Sequence, residues 1–221
     1  YNMAFCRDCF LRFFVDRVKK TIDKFRLFKS DARILVAVSG GKDSLALWDV
    51  LNRLGYPTHG LFIDLGIKGY SEDSEGMVRN FAKLRGLDFS VVRIDAILGA
   101  DIEKIARKVR RPICSICGMI KRYLLNQYAL KNGFDVIATG HNLDDEAATL
   151  FGNILNWQIG YLSRQAPRLE SREGLIARAK PLVLISERES AAYAFLSGIE
   201  YQIDDCPHSK GATSIFYKGI L

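Results

Sequence analysis

Six consecutive residues, Ser39-Gly40-Gly41-Lys42-Asp43-Ser44, limit what this chain can fold into more than any other feature. They follow a short apolar run, Arg33–Val38 (RILVAV), and precede residues 43–54, where Leu45, Leu47, Trp48 and Leu51 recur at helical spacing. A continuous apolar run of that length is a parallel strand covered on both faces, so the six residues form a strand-to-helix turn. Two glycines let backbone N–H groups point toward an anion, and the helix that follows presents its positive end to the same place. Ser39 and Ser44 supply hydroxyls, Lys42 a point charge, and Asp43 a carboxylate suited to a Mg²⁺ shared with phosphates. The run does not fit G-x-x-x-x-G-K-[ST], which argues against an engine that hydrolyses a γ-phosphate. An ordinary glycine-rich turn capped by Asp43 or Ser44 would need less than these six residues in this context.

The rest of the chain repeats the alternation. Strands are expected at 58–64, 89–94 and 135–139, with helices near 72–86, 115–132, 143–156 and 187–197. Leu11, Phe14, Val18, Ile22 and Phe25 mark an opening amphipathic helix over about 7–28. The fold class is α/β, a doubly wound and mostly parallel sheet, with residues 1–30 as an N-terminal unit and 31–221 as the main domain. Ligands of such sheets bind beyond the carboxyl ends of the strands. Residues 165–174, with Pro167, Ser171 and Gly174, are the expected mobile loop.

No apolar run approaches the ~20 residues of a membrane span, and Tyr1–Phe5 does not open like a signal peptide. A cytoplasmic protein without membrane contact is expected, and the chain reads as a fragment of something longer. Of the net charge of +7, much is clustered: residues 1–29 carry eight Lys/Arg against three Asp. A second cluster holds Lys104, Arg107, Lys108, Arg110 and Arg111. Such clusters suit a polyphosphate partner but also serve as solvated helix faces.

Five cysteines fall in or near short motifs, Cys6-x-x-Cys9, Cys114-x-x-Cys117 and Cys206-Pro207. In a cytosolic chain that pattern indicates metal or redox chemistry rather than a disulfide framework. Thiols at the start of a helix, as Cys114 and Cys117 should be, feel its positive end and ionise more easily. By spacing alone a redox pair, half a zinc site and part of a cluster stay open. Adding Cys206 gives three thiolates, enough for a [4Fe–4S] cluster with one iron left open, or for a zinc site completed by a histidine such as His208. Gly140-His141-Asn142-Leu143-Asp144-Asp145-Glu146 ends the strand at 135–139. Asn142 can cap the following helix, and the acids complement its dipole; a carboxylate there also lies on the ligand edge, able to handle a proton or Mg²⁺.

The Ser39–Ser44 run after a strand resembles the pyrophosphate loop of the N-type ATP pyrophosphatases. That superfamily cleaves ATP between the α- and β-phosphates and adenylates a carbonyl or carboxylate. Arg111–Gly152 (RPICSICGMIKRYLLNQYALKNGFDVIATGHNLDDEAATLFG), with DCPHSKGATS near the end, is similar to tRNA 2-thiouridine synthetases of the TtuA type. These thiolate the T-loop ribothymidine, and close relatives act on the wobble uridine. The resemblance spans nearly the whole chain. It implies ATP, Mg²⁺ and a [4Fe–4S] cluster on Cys114, Cys117 and Cys206, with sulfide on the open iron. It also implies Lys121 and Asp145 as catalytic, and Ala37, Ile63 and Gly140 against the nucleotide. The implied partners are tRNA, a ubiquitin-like sulfur carrier with a C-terminal thiocarboxylate, and a second copy in a homodimer.

One departure concerns Cys6 and Cys9. The family opens with a zinc finger of two such pairs and ends with a second finger; this chain shows what resembles half of the first. Two ligands do not close a tetrahedral zinc site. Two rival functions remain open at this point. One is adenylation of another tRNA base, a wobble uridine or a cytidine, with the cysteines as a persulfide relay. The other is a nucleotide- or RNA-binding module without turnover.

Overall fold

Helices and strands alternate through residues 4–210 and 213–220, the part of the chain that a computed structural model describes. Tyr1–Met3, Gly211 and Ala212 of the final motif, and Leu221 lie outside it. The apolar run at 33–38 forms β1 (Ile34–Val38), and the glycine turn leads into α2 (Lys42–Arg53). Next come β2 (Thr58–Asp64), α3 (Tyr70–Arg85) and β3 (Phe89–Arg93). Then follow α4 (Ile94–Leu98), α5 (Ile102–Val109), α6 (Ile113–Lys131), β4 (Val136–Thr139) and α7 (Leu143–Leu155). The remainder holds α8 (Ile159–Leu162), β5 (Arg168–Leu169), β6 (Ala177–Ala179), α9 (Glu187–Leu196) and α10 (Thr213–Lys218), and α1 (Arg7–Lys24) opens the chain.

The sheet has six strands in the order β3-β2-β1-β4-β6-β5, all pairs parallel except β5 with β6. The order reverses at β1, between β2 and β4, so the carboxyl end of β1 is the switch point where such sheets bind ligands. Side chains alternate across β1. Ile34, Val36 and Val38 enter a core with Phe14, Val18 and Ile22 of α1, Trp48 and Leu51 of α2, and Tyr193 of α9. Leu35 enters a second core on the other face, with Leu61, Ile63, Ile102, Ile116, Ile120 and Leu124. Helices therefore cover both faces, the reason the strand is apolar throughout.

Two features show how tightly the first layer is fitted. Trp48 is fully buried, and a side chain at Gly60 would place its Cβ 2.5 Å from the indole. Asp49 is buried as well, yet accepts from Arg53 Nε (2.7 Å), Arg85 Nε (2.8 Å) and the Tyr193 hydroxyl (2.7 Å). Stripping such a charge of a partner costs about 3–5 kcal/mol.

Several expected boundaries shift. The opening helix stops at Lys24, because Arg26 turns to φ 48° and the Leu27 N–H bonds the Ile22 carbonyl, turning Leu27 and Phe28 into the core. The segment expected as a mobile loop contains β5, which pairs with β6, and Arg168 of β5 donates to the carbonyls of Arg26 and Leu27. Among the described residues no helix is long and apolar enough to cross a membrane.

Candidate active site

The turn after β1 is held by its own side chains. Ser44 Oγ accepts from the Ser39 N–H (3.1 Å) and donates to the Gly41 carbonyl (2.9 Å), and the two hydroxyls lie 3.2 Å apart. Gly40 has φ +80°, and a Cβ there would stand 2.6 Å from the Ser74 carbonyl. Gly41 caps α2 without any side-chain bond, so the positive end of the helix stays open. Gly140, after β4, lies against the same turn, where a Cβ would come 2.9 Å from Asp43 C and Ser44 N. Glycine at 140 is thus a close-approach position.

Lys42 and Asp43 stand at the first positions of α2. The Lys42 ammonium contacts Asp43 Oδ2 (3.1 Å) and Glu187 Oε1 (2.8 Å), while Asp43 Oδ1 accepts from Asn142 Nδ2 (3.3 Å). Burial alone would lower the Lys42 pKa, but Glu187 and Asp43 outweigh it and hold it above its ordinary value. Glu187 also meets Lys218 of α10 (2.9 Å). Burial would raise its carboxyl, yet the two lysines bring it down to about 2.

Beside the turn, a cavity of about 110 Å³ opens at the carboxyl ends of β1 and β2. Its lining includes Ala37, Ser39 and Ile63 together with Lys121 of α6 and Tyr70 of α3. Lys121 lies about one turn beyond Cys117, near enough for its ammonium to act on the thiol. Burial raises the Cys117 thiol; Lys121 opposes this, while the nearby Cys206 and Cys114 add to it. Tyr70 is raised first by burial and then by the Cys206 thiol. The cavity and the thiols therefore share a wall.

The three cysteines come from two segments. Cys114 and Cys117 occupy the first turns of α6, and Cys206 sits on the loop after α9. Cys114 Sγ donates to the His208 carbonyl (3.2 Å), while His208 Nε2 lies 3.0 Å from Glu103 of α5. Cys117 and Cys206 both pack on the core under the cavity. Among the described residues no three His, Cys, Asp or Glu converge as ligands of a single ion. A cluster takes one thiolate per iron and so accepts a wider triangle than a lone ion, and three free thiols at one corner fit that donor set. His208 offers its ring to Glu103 instead of to the thiols.

Asp145 is placed differently from Lys121. It is the third residue of α7 in a capping box: its N–H donates to Asn142 Oδ1 (2.9 Å), and its Oδ2 accepts from the Asn142 N–H (3.1 Å). Its Oδ1 meets Lys218 Nζ at 2.7 Å. It does not line the cavity. His141 Nδ1 is 2.8 Å from Thr139 Oγ1. Cys6 and Cys9 are exposed at the start of α1, and hydrogen bonds from Cys9 lower the Cys6 pKa.

Glu187, Lys218 and Tyr70 escape a reading of the sequence. Glu187 has a trace in Ser186-x-x-Glu189, the capping box of α9, but nothing local links it to Lys42. Lys218 reaches the site only through the docking of α10 on α7, where Asn156 Nδ2 donates to the Tyr217 hydroxyl (3.1 Å).

A parallel sheet with a glycine phosphate turn at its switch point and a cavity beside it defines a nucleotide-binding α/β protein. The family described as PP-loop domain matches residues 13–210, and this chain belongs to it. The tRNA-5-methyluridine(54) 2-sulfurtransferase of Thermus thermophilus is 51% identical over 220 residues, spanning 100% of this chain and 68% of that protein. The protein of the same name from Pyrococcus horikoshii is 48% identical over 220 residues, 100% of this chain and 70% of its own length. Among solved structures, the U34-tRNA thiolase NcsA from Methanococcus maripaludis with its [4Fe-4S] cluster is similar at a TM-score of 0.86 and 28% identity. The match covers 98% of this chain and 72% of that one.

Proposed function

We propose that the chain is an ATP-dependent tRNA sulfurtransferase that replaces the C2 oxygen of a uridine, the T-loop ribothymidine, with sulfur. The observation that carries this reading is the cavity that joins Ser39 of the phosphate turn to Lys121, one helical turn beyond Cys117. Relatives named for this reaction match the full length of the chain.

ATP lies with its adenine against the end of β2, near Ile63 and Ala37, and its phosphates at Ser39–Ser44. The uridine O2 attacks the α-phosphorus, and the P–O bond to pyrophosphate breaks. Backbone N–H groups of the turn, the Ser39 and Ser44 hydroxyls and Lys42 hold the charge on the leaving group. Asp43 is the residue to hold Mg²⁺ there. Lys121 orients the activated base at the cavity mouth, and Asp145 handles a proton at the sheet edge once Lys218 yields it. Addition of sulfur at C2 and departure of AMP complete the exchange. Cys114, Cys117 and Cys206 would hold the [4Fe–4S] cluster, which when bound supplies an iron free of protein thiolate to carry sulfide. Keeping base and nucleotide in one cavity makes the second step effectively intramolecular.

A thiocarboxylated ubiquitin-like carrier as sulfur source, a homodimer, zinc at Cys6 and Cys9, and a cytoplasmic location belong to the same reading. The test incubates anaerobically reconstituted protein with ATP, sulfide and unmodified tRNA, then digests the tRNA for nucleoside mass spectrometry. A 2-thio nucleoside with equimolar pyrophosphate is expected. ATP binding without either product overturns the reading.

A further inference from the structure

The end of α5 and the exposed stripe of α6 form one basic corner around Cys114. Arg107 and Lys108 stand in the last turn of α5, Arg110 is its C-cap, and Arg111 precedes the Pro112 that starts α6; all four cations are exposed. Along α6, Met119, Arg122 and Tyr123 are exposed at i, i+3 and i+4, neighbours on one helix face, and Cys114 is exposed in the first turn. Arg178 of β6 reaches across to donate to the Arg122 carbonyl (3.0 Å).

None of these six cations takes part in an ion pair among the described residues. Elsewhere among the described residues Arg17, Arg53, Arg79, Arg85, Arg93 and Arg168 rest on carboxylates, while Arg7, Arg12 and Arg33 are also without one, so it is the clustering of unpaired cations that sets this corner apart. The acids of α5 have other partners: Asp101 meets Lys104 (2.9 Å) and Glu103 meets His208 (3.0 Å).

Arg110 adds a second observation. It sits at φ 53°, a left-handed conformation that glycine adopts freely and an L side chain only against its preference. Where α3 and α4 end in the same conformation, the residues are Gly86 (φ 63°) and Gly99 (φ 70°). Arg26 after α1 takes the same conformation (φ 48°), so strain alone assigns no ligand; at the end of α5 it places one more exposed cation within the run from Arg107 to Arg111.

We propose that this α5–α6 corner is the surface that grips the phosphate backbone of RNA and presents it to the thiols and the cavity. The proposal rests on the tRNA reading above. Five of the six cations are arginines, whose planar fork pairs with phosphate oxygens two at a time. Tyr123, 60% exposed, offers a ring on which an unpaired base can stack. An acidic protein partner would seek an apolar centre ringed by charge, whereas here cations spread along a ridge, as spaced phosphates require.

The experiment measures binding of fluorescent unmodified tRNA to the full chain across KCl concentrations, with ATP affinity recorded alongside. Changing Arg107, Lys108, Arg110 and Arg111 together to Gln should weaken tRNA binding about ten- to a hundredfold at 0.15 M salt. The slope of log K against log salt should become shallower by about two to four, near one for each phosphate no longer neutralised. ATP affinity should not change. Arg110→Gly relieves the backbone, so its melting temperature should equal or exceed that of the parent while tRNA affinity falls a few-fold. Wild-type affinity and slope in the fourfold variant overturn the surface assignment. So does loss of binding to an acidic sulfur-carrier protein with tRNA binding intact. A parent chain that binds ATP but no tRNA overturns the tRNA reading along with the surface.

Discussion

The phosphate turn lines the cavity and the thiol corner lies behind the wall that Lys121 and Tyr70 form, and the two are built in opposite ways. Ser39–Ser44 is one contiguous segment, tied by hydrogen bonds between its own first and last residues and seated between two central elements. The thiol corner draws Cys114 and Cys117 from α6 and Cys206 from a loop remote in sequence, and among the described residues the Cys114–His208 contact and shared packing join them. The turn's internal bonds are thus set by local sequence, and from elsewhere it asks chiefly for the close approach of Gly140 and Ser74. The thiols depend on tertiary packing, and Cys114 is exposed. A preformed anion site beside a loosely joined donor set suits a protein that binds nucleotide unaided and whose thiol corner is completed by what it holds.

The largest separation between the two regions should come from Lys121, which belongs to both. Lys121→Ala should lower thiolation by about 10²–10⁴, the range for a positioned acid or base, with ATP binding and iron content retained. Asp145→Asn is its partner test. Asparagine caps a helix nearly as well as aspartate but cannot take a proton, and it gives up the charge that meets Lys218. Thiolation near the parent rate in that variant would leave Asp145 with its capping role alone.

Cys206→Ala addresses the thiol corner by itself. Anaerobic reconstitution of the parent should give about four irons and four sulfides per chain. The variant should lose most of both, whereas Cys6→Ala and Cys9→Ala should not. ATP affinity should be the same in all three, because the turn needs no thiol. Full iron loading in Cys206→Ala would break the three-thiolate assignment.

Lys42→Ala addresses the turn by itself. Charge-assisted hydrogen bonds contribute about 1.5–3 kcal/mol, which would lower ATP affinity roughly ten- to a hundredfold. The structure points to the lower end. Lys42 already meets Glu187 and Asp43, so phosphate exchanges one anion for another and does not meet a bare ammonium. Calorimetry should find about a tenfold loss with iron loading intact; unchanged affinity would remove Lys42 from the phosphate site.

Legibility in the sequence follows the same division. The strand at 58–64 and the strand-to-helix turn are readable because apolar runs, glycines and helical spacing are local signals. Ala177–Ala179 carries no strand signal of its own and becomes β6 by pairing with β4. The segment at 102–109 stands out in the sequence for its charge, although Ile102, Ile105, Ala106 and Val109 recur at helical spacing and form α5. Placing Ala37, Ser39, Ile63 and Lys121 around one cavity needs the family resemblance, since a backbone contact leaves little mark on residue type. Lys218 against Asp145, and Glu187 against Lys42, have no local trace at all.

The smallest effect tests whether that last pair holds the turn in reserve. Glu187 competes with phosphate for Lys42 and places a negative charge beside the site. Removing the charge in Glu187→Gln should raise ATP affinity, by up to about fivefold if the pair contributes the ~0.2–1 kcal/mol usual for a partly exposed bridge. Acid stability supplies an independent readout. The folded carboxyl sits at about 2, below the ordinary 4.5, because Lys42 and Lys218 outweigh the burial that would raise it. A depressed acid stabilises the fold fully above its unfolded pKa, and this contribution disappears as pH falls through the folded value. The parent should therefore lose stability between about 4.5 and about 2, and Glu187→Gln should lose less over that window. Thermal melts across it, compared with ATP titrations at neutral pH, separate the two roles. A variant with the parent's acid profile and the parent's ATP affinity would show that Glu187 neither holds Lys42 nor competes for it.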